Sequence, residues 1–281
     1  MSEKKSAAKS RLTESILKAR EEKRFARIPY LTAGFPDPER FWESLSQLDE
    51  NGADVIEIGA PFSDPVADGP VIAAASQEAL KNGVSLKWIL DGLKTRSFKS
   101  PLVVMSYANP LLQFAWEEAG GSSLPEKTFS SLKILGEALK EAGILGVIVP
   151  DLPLEESAPF REALELSEVD LVILVGPNTT RFRMEEYRSV ARGYVYVVSV
   201  LGTTGVRQGL PPEVEDTLKR AREVFSLPLA LGFGIKEPGQ LKGLSTSPDA
   251  VVFGSALVRH LKEGGGAGEF MKPWLGEGGA L

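Results

Sequence analysis

Eight short apolar runs, each of the kind that fills a strand buried on both faces, alternate along the chain with stretches whose apolar residues recur at helical spacing. The runs are 28–33, 53–59, 101–108, 145–151, 171–176, 194–200, 229–233 and 250–253. Helical stretches are read at 12–24, 39–51, 71–82, 86–95, 132–142, 154–165 and 211–224, with another begun by Asn178-Thr-Thr-Arg181 and a last one carrying His260. Strand–helix alternation implies a parallel sheet covered by helices, and eight units in about 250 residues match a single-domain (β/α)8 TIM barrel. A doubly wound sheet stays open as the alternative, although at this length it usually has fewer strands or a second domain. The barrel is expected over 12–262, after a disordered polar N-terminus (1–11) and before a Gly-rich C-terminal tail (263–281). In that tail Phe270, Met271, Trp274 and Leu275 form a short closing segment. The polar segment 114–131 reads as a loop-like insertion, longer than ordinary strand-to-helix connections.

Composition narrows the function. The net charge of −6 and a pI near 5.2 argue against nucleic acid or an anionic membrane as partner, since either needs a basic face. The chain has no cysteine, which removes disulfides, thiolate metal sites and a cysteine nucleophile and fits a cytoplasmic setting. With His260 as the single histidine, a multi-histidine metal centre is excluded. No apolar run reaches the roughly 18 residues of a membrane span.

In a barrel, chemistry belongs at the C-terminal strand ends. The second run delivers Glu57 among Val55, Ile56 and Ile58, where an ionised carboxylate must be paired, protonated or used. It continues into a loop stiffened by Pro61, Pro65, Gly69 and Pro70 that carries Asp64 and Asp68. Two acids on a strand end and the loop above it can act on one small molecule from two sides. The other reading makes Glu57 a satisfied structural carboxylate, Asp68 a turn cap and Asp64 a surface residue. Gly-rich exits at 202–205, 232–234 and 254–255 offer backbone N–H groups to an anion, or serve as tight turns only. No strand-end lysine is present for a Schiff base, which leaves metal-free acid–base chemistry on a phosphorylated substrate.

At these residues the sequence resembles the α subunit of tryptophan synthase. The likeness rests on Pro29-Tyr-Leu-Thr-Ala-Gly34, Glu57-Ile-Gly-Ala-Pro-Phe-Ser-Asp-Pro-Val-Ala-Asp-Gly-Pro70, Met105-Ser-Tyr-Ala-Asn109, Val149-Pro-Asp-Leu-Pro-Leu-Glu-Glu156, Gly232-Phe-Gly-Ile235 and Gly254-Ser255. It implies a lyase of tryptophan biosynthesis that cleaves indole-3-glycerol phosphate to indole and glyceraldehyde 3-phosphate. Glu57 matches the family's acid–base residue, and Asp68 the carboxylate that accepts the indole N–H. Tyr196 matches a tyrosine beside the glutamate, and Tyr30 and Tyr107 fall where the family lines its indole pocket. Gly205, Gly234, Gly254 and Ser255 match its phosphate cradle, and Asp64 a position associated with the partner. The resemblance further implies no cofactor in this chain, and a pyridoxal-phosphate-bearing β subunit that receives indole in an α2β2 complex. The chain departs from the family at Val200, where many members carry arginine, and in the 114–131 segment. A non-catalytic barrel subunit, a phosphate-binding barrel isomerase and a stand-alone indole-releasing lyase remain open as alternatives.

Overall fold

The computed structural model describes residues 10–121, 128–198, 212–232, 234–235, 237–241 and 244–275. Among them eight parallel strands close into a barrel in chain order. They are β1 (Ala26–Thr32), β2 (Ile56–Gly59), β3 (Leu102–Met105), β4 (Ile144–Ile148), β5 (Asp170–Val175), β6 (Val195–Val198), β7 (Leu229–Gly232) and β8 (Ala250–Phe253). The ring closes where Ala26 to Pro29 of β1 pair with Ala250 to Phe253 of β8. Around it lie α1 (Arg11–Glu21), α2 (Pro38–Glu50), α3 (Pro70–Lys81), α4 (Leu86–Lys94), α5 (Ala108–Glu118), α6 (Thr128–Glu141), α7 (Ala158–Leu166), α8 (Arg181–Arg188), α9 (Pro212–Val224), α10 (Ser255–Lys262) and α11 (Ala267–Leu275). Asp37, Ser85 and Thr180 cap α2, α4 and α8 by accepting a backbone N–H. No described helix is long and apolar enough to cross a membrane.

Strand alternation divides the core in two. Leu31, Ile56, Ile58, Leu102 and Val104 face outward into the layer shared with the helices. Ile28, Val103, Ile148, Val172, Ala230 and Val252 form a separate cluster inside the ring.

The expected barrel is present, and three local expectations are corrected. The third strand stops at Met105, and α5 then runs from Ala108 to Glu118, so the first part of the supposed 114–131 loop is helix. Pro110 is compatible with it because it occupies the first turn, where a backbone N–H has no helical partner anyway. Helix α6 begins at Thr128, earlier than residue 132, which shortens the connection further.

Helix α1 closes the N-terminal end of the ring. Leu12, Ile16 and Ala19 are fully buried and belong to the inner cluster with Ile28, Val55 and Val172. Polar ties hold it there. Ser10 donates to the Asp170 carboxylate, Thr13 to the Gly193 carbonyl and Ser15 to the Asp54 carbonyl at 2.6 Å, while Arg20 pairs with Asp249. Strand β4 makes room with Gly146, where an added Cβ would come within 2.7 Å of the Leu12 side chain. Leu12→Ala is therefore expected to cost about 2–5 kcal/mol, read as a lower urea midpoint, because rigid strand walls cannot collapse into the space. At the C-terminus, α11 packs through buried Met271 and Trp274, the latter stacked on Phe253 with ring centroids 4.3 Å apart.

Candidate active site

Glu57 projects into the ring from β2 and is completely buried. The Tyr194 hydroxyl donates to its Oε1 at 2.8 Å, and Oε2 has no hydrogen-bond partner among the described residues. Burial pushes the carboxyl up to about 8, against the opposing pull of the Tyr194 hydrogen bond. An acid held near that value is neutral at pH 7 but can lose its proton cheaply, as proton transfer requires.

Asp68 stands at the end of the β2–α3 loop, just before Gly69 and Pro70 begin α3. The loop is folded on itself by hydrogen bonds from Val66 N–H to the Asp64 carbonyl (2.9 Å) and from Asp68 N–H to the Pro65 carbonyl (3.0 Å). Tyr107, at the exit of β3, anchors it from the side. Its hydroxyl accepts the Ala67 N–H at 2.9 Å, and its ring lies 5.1 Å from that of Phe62. Desolvation raises Asp68 to about 6, with a hydrogen bond to Tyr107 working the other way.

The two acids share one end of the ring. The hydroxyls of Tyr30 and Tyr196 are both pushed up by burial first and then by the negative fields of both Asp68 and Glu57. Strand glycines seat these hydroxyls. A Cβ built on Gly59 would fall 2.0 Å from the Tyr30 oxygen, and one built on Gly232 would fall 2.1 Å from the Tyr196 oxygen. Gly232→Ala must displace a rigid buried phenol, so a loss of about 10²-fold in kcat is expected with unchanged circular dichroism.

The remaining expected site residues fall as follows. Gly254 caps α10 without a side-chain hydrogen bond, and Ser255 opens the helix, so the first-turn N–H groups face the mouth of the ring after β8. Gly234 follows β7 with φ +77°, a conformation that favours glycine. Gly205 lies outside the described residues, as does Val200. Asp64 is exposed on the outer side of the loop, accepting a hydrogen bond from Ser63, and is not among the groups gathered around Glu57. A cavity of about 420 Å³ lies between Val149–Leu154, Leu171–Leu174 of β5 and Tyr187, with neither Glu57 nor Asp68 in its lining, and a smaller polar one of about 210 Å³ lies at the N-terminal end of the ring beside Arg24 and Asp54.

Sequence reasoning placed Tyr196 beside the glutamate and passed over Tyr194, which makes the hydrogen bond. The available signal was the pair Tyr194-Val-Tyr196, whose alternation sends both rings inward.

The model of the family described as tryptophan synthase alpha chain matches residues 16–271. The chain belongs to the tryptophan synthase alpha chain family. It is 57% identical over 267 residues to the tryptophan synthase alpha chain of Nitratidesulfovibrio vulgaris strain DP4, covering 94% of this chain and 98% of that one. The alpha chain of Petrotoga mobilis is 38% identical over 240 residues, 85% of this chain and 87% of its own. Among solved structures, Mycobacterium tuberculosis tryptophan synthase superposes with a TM-score of 0.83 at 32% identity, covering 98% of this chain and all of that one. The tryptophan synthase alpha family is thus matched across nearly the whole barrel, from inside α1 to inside α11.

Proposed function

We propose that this chain cleaves indole-3-glycerol phosphate to indole and glyceraldehyde 3-phosphate with Glu57 as acid–base group and Asp68 as the carboxylate on the indole nitrogen. The observation that carries the assignment is a buried acid on β2 and a second acid at the end of the loop above it, both acting on the same buried tyrosine hydroxyls, with burial pushing Glu57 up to about 8 and Asp68 to about 6. Neighbouring carboxyls held at different values take different roles at one pH. At pH 7 Glu57 carries its proton and delivers it to indole C3. Positive charge then spreads to the ring nitrogen, where ionised Asp68 accepts the N–H and stabilises it. The Glu57 carboxylate left behind removes the proton of the side-chain hydroxyl. A carbonyl forms, the carbon–carbon bond breaks, and its electrons return to the ring. The proton has moved from oxygen to carbon, with no cofactor in this chain.

Tyr107 and Tyr196 supply walls for the ring, and Gly205, Gly234, Gly254 and Ser255 a cradle for the phosphate, where the N-terminus of α10 favours an anion. The partner is a β subunit carrying pyridoxal phosphate, in an α2β2 complex of the cytoplasm, and the loop of Asp64 is its contact. Support for that surface is Val66, 85% exposed at the tip of the loop that ends in Asp68. Product masses after incubation with indole-3-glycerol phosphate, with and without added β subunit, test the reading. Two products of carbon–carbon scission support it. A single product of unchanged mass would mean isomerisation and overturn it.

A further inference from the structure

We infer that the Tyr30 hydroxyl is a hydrogen-bond donor to the substrate's side-chain hydroxyl oxygen, acting in the bond-breaking step between the two acids. This deepens the lyase reading and rests on it. Tyr30 and Glu57 are directly paired residues of β1 and β2. The Tyr30 ring starts against β8, where a Cβ on Gly254 would meet its Cδ1, Cβ and Cγ at 3.1–3.3 Å. It crosses to β2, where the hydroxyl takes the place a side chain on Gly59 would fill. Gly59 is two residues beyond Glu57, so both positions face inward, about 6.6 Å apart along the strand. The phenol therefore occupies the next inward position above Glu57, on the side toward the loop that holds Asp68.

Its hydrogen-bonding state points outward to a ligand. Among the described residues its only hydrogen-bond partner is the Thr32 hydroxyl, at a long 3.5 Å. A 6% exposed phenol held by so long a contact is weakly satisfied and gains from a ligand oxygen that receives its proton. Burial first, and the charge of Asp68 second, keep the phenol protonated wherever the enzyme works. In the cleavage step the substrate oxygen gives its proton to the Glu57 carboxylate and gathers negative charge before the carbonyl is complete. A neutral donor aimed at that oxygen stabilises it and keeps its own proton throughout.

The test pairs Tyr30→Phe with two ligands. These are indole-3-glycerol phosphate and the analogue in which the hydroxyl on the ring-attached carbon is replaced by hydrogen. Tyr30→Phe is expected to lower kcat/KM for cleavage by about 100-fold, while calorimetry finds the Kd for the analogue within about twofold of wild type, because that ligand has no oxygen to receive the bond. A variant that cleaves at the wild-type rate overturns the inference. So does one whose affinity for the analogue falls in parallel with its rate, since ring packing would then account for both. Wild-type protein that releases no indole defeats the lyase reading itself, a different result from either.

Discussion

Glu57→Gln is expected to lower the rate of indole formation by about 10³–10⁴-fold while leaving β-subunit binding intact, because the amide can neither deliver a proton to carbon nor remove one from oxygen. Assay of indole release and a pull-down on the β subunit read the two halves separately. The substitution should also change how stability depends on pH. The folded-state value of about 8 lies above the ordinary 4.5. Between those values the folded state holds a proton that the unfolded state has lost, so the stability of the wild type falls as pH rises through that window. The loss is on the order of 5 kcal/mol in total. Glutamine binds no proton, so urea titrations from pH 5 to 9 should show that part of the slope missing from the variant. An unchanged slope would mean that Glu57 is not held as a neutral acid.

Asp68→Asn is expected to cost about 10²–10³-fold in kcat, since an amide oxygen can accept the indole N–H but brings no negative charge to the cationic ring. Its pH signature differs from that of Glu57. In the wild type kcat/KM should rise through about pH 6 as Asp68 ionises and fall above about pH 8 as Glu57 loses its proton. In Asp68→Asn the acid limb should vanish and the alkaline one persist. The sign for stability matches that of Glu57, because Asp68 too sits above its ordinary value of 3.8, so its contribution declines as pH climbs from there to about 6. A rate profile that keeps its rise near pH 6 in the variant would assign that limb to another group.

The strand-and-helix rhythm was legible because parallel strands buried on both faces must be apolar throughout, and a charged residue such as Glu57 inside one is conspicuous. The loop after it was legible for a related reason, since proline and glycine fix where Asp68 can stand. Tyr194 was not legible as the partner of Glu57. Which side chains meet across a closed ring depends on how its strands are staggered, and no local pattern encodes the level at which β6 faces β2. The niches at Gly59 and Gly232 are likewise visible only once a neighbouring strand brings a phenol to them. Helix α5 was missed because Gly120, Gly121 and the serines beyond outweighed the helical spacing of Leu111, Phe114 and Ala115, which are its buried face. Pro110 stands in the first turn of that helix, where proline is tolerated.

Helix α1, stoppering the ring from below with Leu12 and Ile16, makes the barrel a vessel rather than a pipe. On the proposed lyase reading, indole formed beside Glu57 meets a floor closed among the described residues by α1, and it leaves over the lip by which the substrate enters. On that reading a β subunit seated on the lip would receive it before the surrounding water does. Custody of a small oily molecule is thereby decided at the end of the barrel remote from the plug.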